Sequence, residues 1–168
     1  MKNKNIILIG MMGAGKSTVA KAWVKALPDY TLIDIDTEIE NLMGMSISQI
    51  FDRLGENEFR RIESAVINDI EPNESLIIST GGGAFELNSE QLLKLGDVFY
   101  LKANPQIIYE RIKHETHRPL LKCENPIEKI KEILAKRNKN YELAHFCIDT
   151  ESKTPDNIVN DIRGLYGI

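Results

Sequence analysis

Five short, strand-like runs are separated by longer stretches in which apolar residues recur at helical spacing. The first run, Ile6–Ile9, contains four consecutive apolar residues without a polar break, as expected for a strand that is covered on both faces. The later runs lie at 30–36, 74–80, 98–101 and 146–149. Because strands and helices alternate, the pattern predicts an α/β fold: a doubly wound, three-layer domain with a five-stranded parallel sheet.

The stretches between these runs predict helices with one apolar face. A short helix is expected to begin after Ser46, a favourable N-cap, and to stop at Gly55. A longer helix with an apolar stripe from Phe59 to Ile70 follows and ends before Pro72. Helical patterns are also present in the segments numbered 15–27, 37–42, 92–95, 105–112, 127–141 and 155–166.

The segment between the first strand and the first helix is the clearest chemical signal. Residues 10–18, GMMGAGKST, match G-x-x-x-x-G-K-[ST] at every fixed position. Glycines let such a loop wrap closely around phosphates, so that its N–H groups and the helix N-terminus face the negative charge. Lys16 then supplies a mobile positive charge, and the Ser17 hydroxyl is suited to bind Mg²⁺. An incidental glycine-rich turn is a poor alternative, because a strand and a helix flank the motif.

Composition narrows the class of protein. The chain has 168 residues, 42% hydrophobic residues and a formal net charge of −4, which is typical of one globular domain. A negative net charge argues against a general nucleic-acid or membrane-surface binder. The two cysteines, Cys123 and Cys147, have no metal-binding or redox spacing, so a reducing, cytoplasmic compartment is expected. A monomer is the expected state.

The second strand is predicted to end in two acids, Asp34 and Asp36. On a strand these side chains would share a face and point together towards the carboxyl edge of the sheet, where open parallel sheets bind ligands. The alternative is that Asp36 caps a helix over 37–42 while Asp34 is an ordinary acid at the strand end. Next to a phosphate loop, the functional interpretation is favoured.

Two further features have both a functional and a structural interpretation. Three glycines, Gly81–Gly83, follow the third strand, and they either let a ligand approach the backbone or form a tight turn. Arg60 lies between Glu56 and Glu63 at helical spacing, which by itself favours a solvated surface pair. The polar, proline-containing stretch 113–119 predicts a mobile lid, with its two histidines exposed to solvent.

Six motifs, in order along nearly the whole chain, resemble those of shikimate kinases. The resemblance implies a P-loop kinase fold like that of nucleoside monophosphate kinases, formed by one domain over 1–168 with an acceptor-binding region at about 34–63 and a lid at about 112–125. The motifs are GMMGAGKST at 10–18, DID at 34–36, EFRRIE at 58–63, STGGGA at 79–84, RPLL at 118–121 and AKRNKNY at 135–141.

The resemblance implies Mg²⁺-dependent transfer of the ATP γ-phosphate to the 3-hydroxyl of shikimate, in the pathway to the aromatic amino acids. Asp36 would position or deprotonate that hydroxyl. Arg60 and Arg137 would hold the carboxylate, because planar guanidinium groups suit it better than lysine does. The glycines expected to line the same acceptor are Gly81, Gly82 and Gly83.

For the nucleotide, the resemblance implies that Lys16 and Arg118 neutralise the transferring phosphate, with Asp36 as the third catalytic residue. Ser17, and Asp34 through water, would hold Mg²⁺. Arg111 matches a position that stacks on adenine, whereas Lys153 stands where several relatives have an arginine. The residues expected to bind ATP are Gly13, Ala14, Gly15, Lys16, Ser17, Thr18, Arg111, Arg118 and Lys153.

Two other classes of protein share parts of this pattern. A kinase for gluconate or a nucleoside monophosphate has the same fold and loop, and the six motifs rather than charge argue against it. A regulatory GTP switch requires N-K-x-D, whereas residues 138–141 read NKNY and lack the acid. The D-x-x-G sequence at 52–55 lies in a helical pattern rather than at a strand end.

Overall fold

The computed structural model describes residues 4–71, 75–115 and 123–166. Within them the chain alternates between strands and helices. The strands are β1 (Ile6–Ile9), β2 (Thr31–Asp34), β3 (Leu76–Ser79), β4 (Asp97–Lys102) and β5 (Phe146–Asp149). The helices are α1 (Lys16–Ala26), α2 (Ile35–Met43), α3 (Ile47–Asn68), α4 (Ala84–Leu95), α5 (Pro105–Ile112), α6 (Pro126–Tyr141) and α7 (Pro155–Tyr166).

The strands form one five-stranded parallel sheet in the order β2-β3-β1-β4-β5, which confirms the predicted fold class. All four residues of β1 are buried. Ile7 and Ile9 pack into the core on one face of the sheet, whereas Ile6 and Leu8 pack into the core on the other. This alternation follows from the two-residue period of a strand. Because β1 is the central strand of the sheet, its carboxyl end and the loop after it lie at the middle of the sheet edge.

Helix α3 consists of two helical parts that meet at Gly55, the residue at which the sequence predicts the end of the first of two helices. Ser46 caps it as expected, since its hydroxyl accepts a hydrogen bond from Gln49 N while the Gln49 side chain accepts one from Ser46 N. Gly55 interrupts the helix with φ 81° and ψ 170°, and the helix then resumes. The break is therefore at the predicted residue, where a kink joins the two helical parts. The sequence D-x-x-G at 52–55 lies within this helix, as predicted.

Strand β2 is shorter than predicted. The sequence pattern extends the strand to Asp36, whereas the structure ends it at Asp34 and begins α2 at Ile35. The cause is local: an Asp34 side-chain oxygen accepts a hydrogen bond from Thr37 N and so caps the helix. The cap is thus Asp34, and both the expected shared strand face and the alternative cap at Asp36 are wrong.

No helix in the described part of the chain is both long enough and apolar enough to cross a membrane.

Candidate active site

The loop between β1 and α1 has the geometry of a phosphate-binding loop. Gly15 caps α1 with φ 95°, a left-handed conformation that favours glycine. The Lys16 side chain is buried, and its Nζ donates to the backbone oxygens of Gly10 at 2.9 Å and Met11 at 3.0 Å. The lysine is therefore folded over the loop, with its charge held where a phosphate would be bound.

Oxygen atoms from three strands or their following segments meet beside this loop. Ser17 Oγ donates to Asp34 Oδ2 at 2.7 Å and lies 3.1 Å from Ser79 Oγ. Hydroxyl and carboxylate oxygens are the ligands that Mg²⁺ prefers. The described residues contain no cluster of three histidine, cysteine or acidic side chains suited to a metal. In kinases magnesium is usually held by a few protein oxygens together with phosphates and water, and Ser17 and Asp34 supply oxygens of that kind.

The glycine triplet is surrounded by side chains from three other elements. A Cβ atom on Gly81 would lie 2.9 Å from Glu63 Oε1 and 3.0 Å from Asp36 Oδ1. A Cβ atom on Gly83 would lie 2.5 Å from Arg60 Nη2 and 2.9 Å from Arg137 Nη2. We call these residues the triplet cluster: Asp36, Arg60, Glu63, Gly81, Gly82, Gly83 and Arg137.

Helix α2 brings Asp36 to the triplet cluster, although the side chain comes from a helix turn and not from a strand. Asp34, two residues earlier, faces Ser17 instead. The two acids therefore face different partners, one beside the phosphate loop and one beside Gly81. Sequence reasoning placed them on one surface because it assumed a strand; the helix start at Ile35 separates them.

The triplet cluster touches the phosphate loop directly. A Cβ atom on Gly82 would lie 3.0 Å from the backbone nitrogen of Met12. Arg137 Nη1 also lies 3.7 Å from Met11 Sδ. The triplet therefore requires glycine, because a side chain there would collide with the phosphate loop or with the guanidinium groups. A molecule bound in the cluster would lie next to the terminal phosphate of a bound triphosphate.

Two like charges converge in the cluster. The Nη2 atoms of Arg60 and Arg137 can be no farther apart than 5.4 Å, the sum of their distances to the Cβ position of Gly83. Two unit charges at that separation repel by about 3 kcal/mol at an effective dielectric constant of 20. Such a pair is stable when carboxylates lie near it.

The carboxylate beside Arg60 is Glu63, and it was missed as a site residue. Arg60 Nη1 donates to Glu63 Oε2 at 2.7 Å, and the Glu63 side chain is fully buried while that of Arg60 is 18% exposed. The interpretation of Arg60 as a solvated surface residue is therefore wrong. Its other neighbour, Glu56, is exposed and lies 3.7 Å from Nη2. Spacing alone could not distinguish the buried glutamate from the exposed one.

Burial raises the pKa of Glu63 above its ordinary value, although Arg60 acts in the opposite direction. The nearby negative charge of Asp36 also raises it. Within the described residues, Glu63 Oε1 has no hydrogen-bond partner. An unpaired buried oxygen is costly, so this atom is suited to accept a hydrogen bond from a ligand hydroxyl or a water.

Arg137 is held by hydrogen bonds to Glu86 and to the backbone of Gly82. Its Nε donates to Glu86 Oε2 at 2.9 Å, and its Nη1 donates to the backbone oxygen of Gly82 at 3.0 Å. Tyr141, one turn later on α6, donates its hydroxyl to the same oxygen at 2.8 Å. Burial raises the pKa of Tyr141 to about 12, and its ring stacks on Tyr100 with centroids 4.6 Å apart.

Arg111 lies on the other side of the phosphate loop. Its Nη1 donates to the backbone oxygens of Gly13 at 3.2 Å and Ala14 at 3.3 Å, and its Nη2 donates to that of Thr150 at 3.3 Å. These bonds place it at a cavity of about 390 Å³. Other residues lining this cavity include Gly15, Thr18, Glu115, Lys153 and Pro155.

Lys153 pairs with Asp161 at 2.8 Å as well as lining that cavity. Thr150, which holds Arg111, was not among the expected site residues, because a single threonine after a strand carries no chemical signal. Arg118 and about half of the predicted lid lie in 116–122, outside the described residues.

Comparison with known proteins agrees with this geometry. A family model described as shikimate kinase matches residues 12–165. A shikimate kinase of Thermodesulfovibrio yellowstonii is 47% identical over 165 residues, covering 97% of this chain and 95% of the relative. One from Sulfurihydrogenibium is 44% identical over 161 residues, covering 95% of each.

A solved structure is similarly close. That of the shikimate kinase from Acinetobacter baumannii in complex with shikimate has a TM-score of 0.90 and 36% identity, covering 98% of this chain and 93% of that one. Likeness of this extent spans both the phosphate loop and the triplet cluster. The chain therefore belongs to the shikimate kinase family and is an ATP-dependent phosphotransferase.

Proposed function

We propose that this chain transfers the γ-phosphate of ATP to the 3-hydroxyl of shikimate, giving shikimate 3-phosphate and ADP. The observation that carries the proposal is the contact between the phosphate loop and a cluster with two guanidinium groups and two carboxyl groups. Shikimate offers the complementary groups, a carboxylate and ring hydroxyls. The family membership and the shikimate-bound structure of the Acinetobacter baumannii relative support this choice of acceptor.

In this proposal Arg60 and Arg137 bind the acceptor carboxylate through charge-assisted, planar hydrogen bonds. Gly82 donates its backbone N–H to the same ligand, and Gly81 and Gly83 leave room for it. Asp36 accepts a hydrogen bond from the attacking hydroxyl and holds it in line with the phosphate. Whether or not Asp36 also takes the proton, alignment of this kind supplies much of the rate in phosphoryl transfer.

For the donor, Lys16 and the N–H groups of residues 13–18 neutralise the β- and γ-phosphates. Ser17, with Asp34 acting through water, would hold Mg²⁺. An ion held there would supply positive charge to offset the charge that develops on the transferring phosphate. The oxygen-only set around Ser17 supports this assignment. Arg118 is proposed to complete the neutralisation from the lid over 112–125.

Arg111 is proposed to face the adenine of ATP, and Lys153 to lie at the edge of the same subsite. Their position around one cavity beside the phosphate loop supports this. The hydrogen bonds from Arg111 to Gly13 and Ala14 hold its guanidinium group beside the loop. We further propose that the protein acts as a monomeric, cytoplasmic enzyme, with its residues 1–168 forming one domain.

A coupled assay of ADP release tests the acceptor. The enzyme is given ATP and Mg²⁺ with shikimate, quinate, gluconate, AMP or CMP in separate reactions. We expect kcat/KM to be highest for shikimate by at least about a hundredfold, because buried polar groups reject ligands that leave them unpaired. Faster turnover of gluconate or of a nucleotide would overturn the proposed acceptor while leaving the ATP-dependent chemistry intact.

A further inference from the structure

Glu86 contacts the triplet cluster from outside it. It lies in the first turn of α4, three residues after Gly83, and its Oε2 accepts a hydrogen bond from Arg137 Nε at 2.9 Å. The Arg137 side chain is 14% exposed and that of Glu86 is 35% exposed. The pair is thus shielded far more than the ordinary surface ion pairs of this chain, such as Glu90–Lys94 on the same helix, whose side chains are 84% and 67% exposed.

The atoms used by Arg137 matter for what remains available to a ligand. A guanidinium group has five N–H donors in a fixed plane. Glu86 takes the donor on Nε, and the Gly82 oxygen takes one on Nη1. These two contacts determine the plane and the rotation of the group. The remaining donors lie on Nη1 and Nη2, and Nη2 is the atom nearest the Gly83 Cβ position.

Each arginine of the cluster is therefore paired with a carboxylate of its own. Arg60 is paired with buried Glu63 from its own helix, whereas Arg137 on α6 is paired with Glu86 on α4. The second pair joins two elements, and the backbone that carries Glu86 also carries the triplet. Movement of the α4 start would therefore move Glu86 and Gly82 together, and with them both of the hydrogen bonds that orient Arg137.

We propose that Glu86 is a positioning residue for the acceptor: it orients Arg137 so that its Nη1 and Nη2 donors face the bound carboxylate. This inference rests on the proposed function. The competing structural role is a favourable interaction of Glu86 with the N-terminus of α4, which would affect stability without affecting the acceptor. A second competing effect is repulsion, since a carboxylate near the site would weaken the binding of another carboxylate.

Glu86→Gln distinguishes these possibilities in steady-state assays with ATP and shikimate. Loss of the charge-assisted bond should let Arg137 sample other orientations, so the KM for shikimate should rise about five- to tenfold. The kcat and the KM for ATP should stay within about twofold of the wild type, because the reacting groups are unchanged. Glu90→Gln removes a charge from the same helix in the exposed pair and should change none of the three constants.

An unchanged KM for shikimate in Glu86→Gln would show that the pair is merely structural, and a lower KM would show that repulsion dominates; either result overturns the inference. In an Arg137→Lys background, Glu86→Gln should add little to the KM, since a lysine has no Nε–H to orient. Additive effects of the two substitutions would also overturn it.

A measurement without any acceptor keeps this test separate from the proposed function. The ¹⁵Nε–Hε signal of Arg137, identified by its loss in Arg137→Lys, should show restricted motion in the wild type and faster motion in Glu86→Gln. Equal mobility in both proteins would overturn the inference. If the mobility differs but the wild type fails to phosphorylate shikimate, the orienting role of Glu86 stands and the proposed acceptor falls.

Discussion

The phosphate loop occupies consecutive residues between β1 and α1, and most of what it offers to a ligand is backbone N–H. The triplet cluster, by contrast, draws Asp36, Arg60, Arg137 and the glycines from four separate segments, and most of what it offers is side-chain charge. The phosphate loop needs local backbone geometry, such as the left-handed conformation of Gly15. The triplet cluster needs tertiary packing and carboxylate partners, because converging guanidinium groups repel one another.

Substitutions in the phosphate loop and in the triplet cluster should therefore have different effects on the kinetic constants. Damage to the phosphate loop should remove turnover for any acceptor. Damage to the triplet cluster should alter acceptor binding or alignment while sparing ATP. Substitutions in each region, together with the pH dependence of stability, test that separation.

Lys16→Ala should lower kcat by about a thousandfold, because it removes a preorganised charge from the transferring phosphate. Lys21→Ala, at an exposed position of the same helix, is the control and should behave as the wild type. Single-turnover assays with saturating ATP measure the effect, and circular dichroism checks the fold. Wild-type turnover in Lys16→Ala would contradict the role of the loop.

Asp36→Asn should lower kcat by about a hundredfold, because alignment of the attacking hydroxyl, and proton transfer from it, are weakened. The KM for ATP should change much less, since Asp36 faces Gly81 and not the phosphate loop. Glu38→Gln, exposed on the same helix, is the control. If the KM for ATP changed more than kcat, Asp36 would act in nucleotide binding and not on the acceptor.

Arg60→Lys should weaken acceptor binding by about 1–3 kcal/mol, because a lysine cannot make paired planar hydrogen bonds and would leave buried Glu63 less well satisfied. Arg61→Lys is a close control, since Arg61 is exposed and pairs with Glu58. Titration calorimetry with shikimate measures the difference. Equal affinities in the two variants would contradict the role of Arg60 in binding the acceptor.

Gly83→Ala should raise the KM for the acceptor about tenfold, because the new methyl group would displace both guanidinium groups. The φ of Gly83 is −112°, so an alanine fits the backbone there. The KM for ATP should hold. Gly164→Ala, where no atom lies within 4 Å of the new Cβ, is the control and should leave both constants unchanged. An unchanged KM for the acceptor in Gly83→Ala would mean that acceptor binding does not depend on the observed positions of the two arginines.

The smallest effect concerns pH and Tyr141. Its pKa is about 12 in the folded chain and 10.0 ordinarily, so the unfolded chain loses this proton first as the pH rises. The free energy of unfolding should therefore decline between pH 10 and 12 in the wild type. The decline should be shallower in Tyr141→Phe than in the control Tyr109→Phe, as measured by urea denaturation. Identical slopes would contradict the buried setting of this phenol beside Gly82.

Sequence reasoning was most successful where structure depends on neighbouring residues. The bounds of β1, β5 and α7 agree with the apolar pattern, and Ser46 and Gly55 act at the predicted positions. It was wrong at Asp34, because the pattern cannot show whether an acid ends a strand or caps the next helix. It also could not rank Glu56 against Glu63, whose spacings from Arg60 are both helical.

By itself, the sequence determined the alternation of strands and helices, the phosphate loop and the family, because each depends on residue types at short, fixed separations. Only the tertiary structure decided that Glu63 is buried against Arg60, that Glu86 reaches Arg137, and that both arginines meet at Gly83. The physical reason is that burial and charge pairing depend on the packing of α3, α4 and α6 around one sheet edge, and no local pattern records that packing.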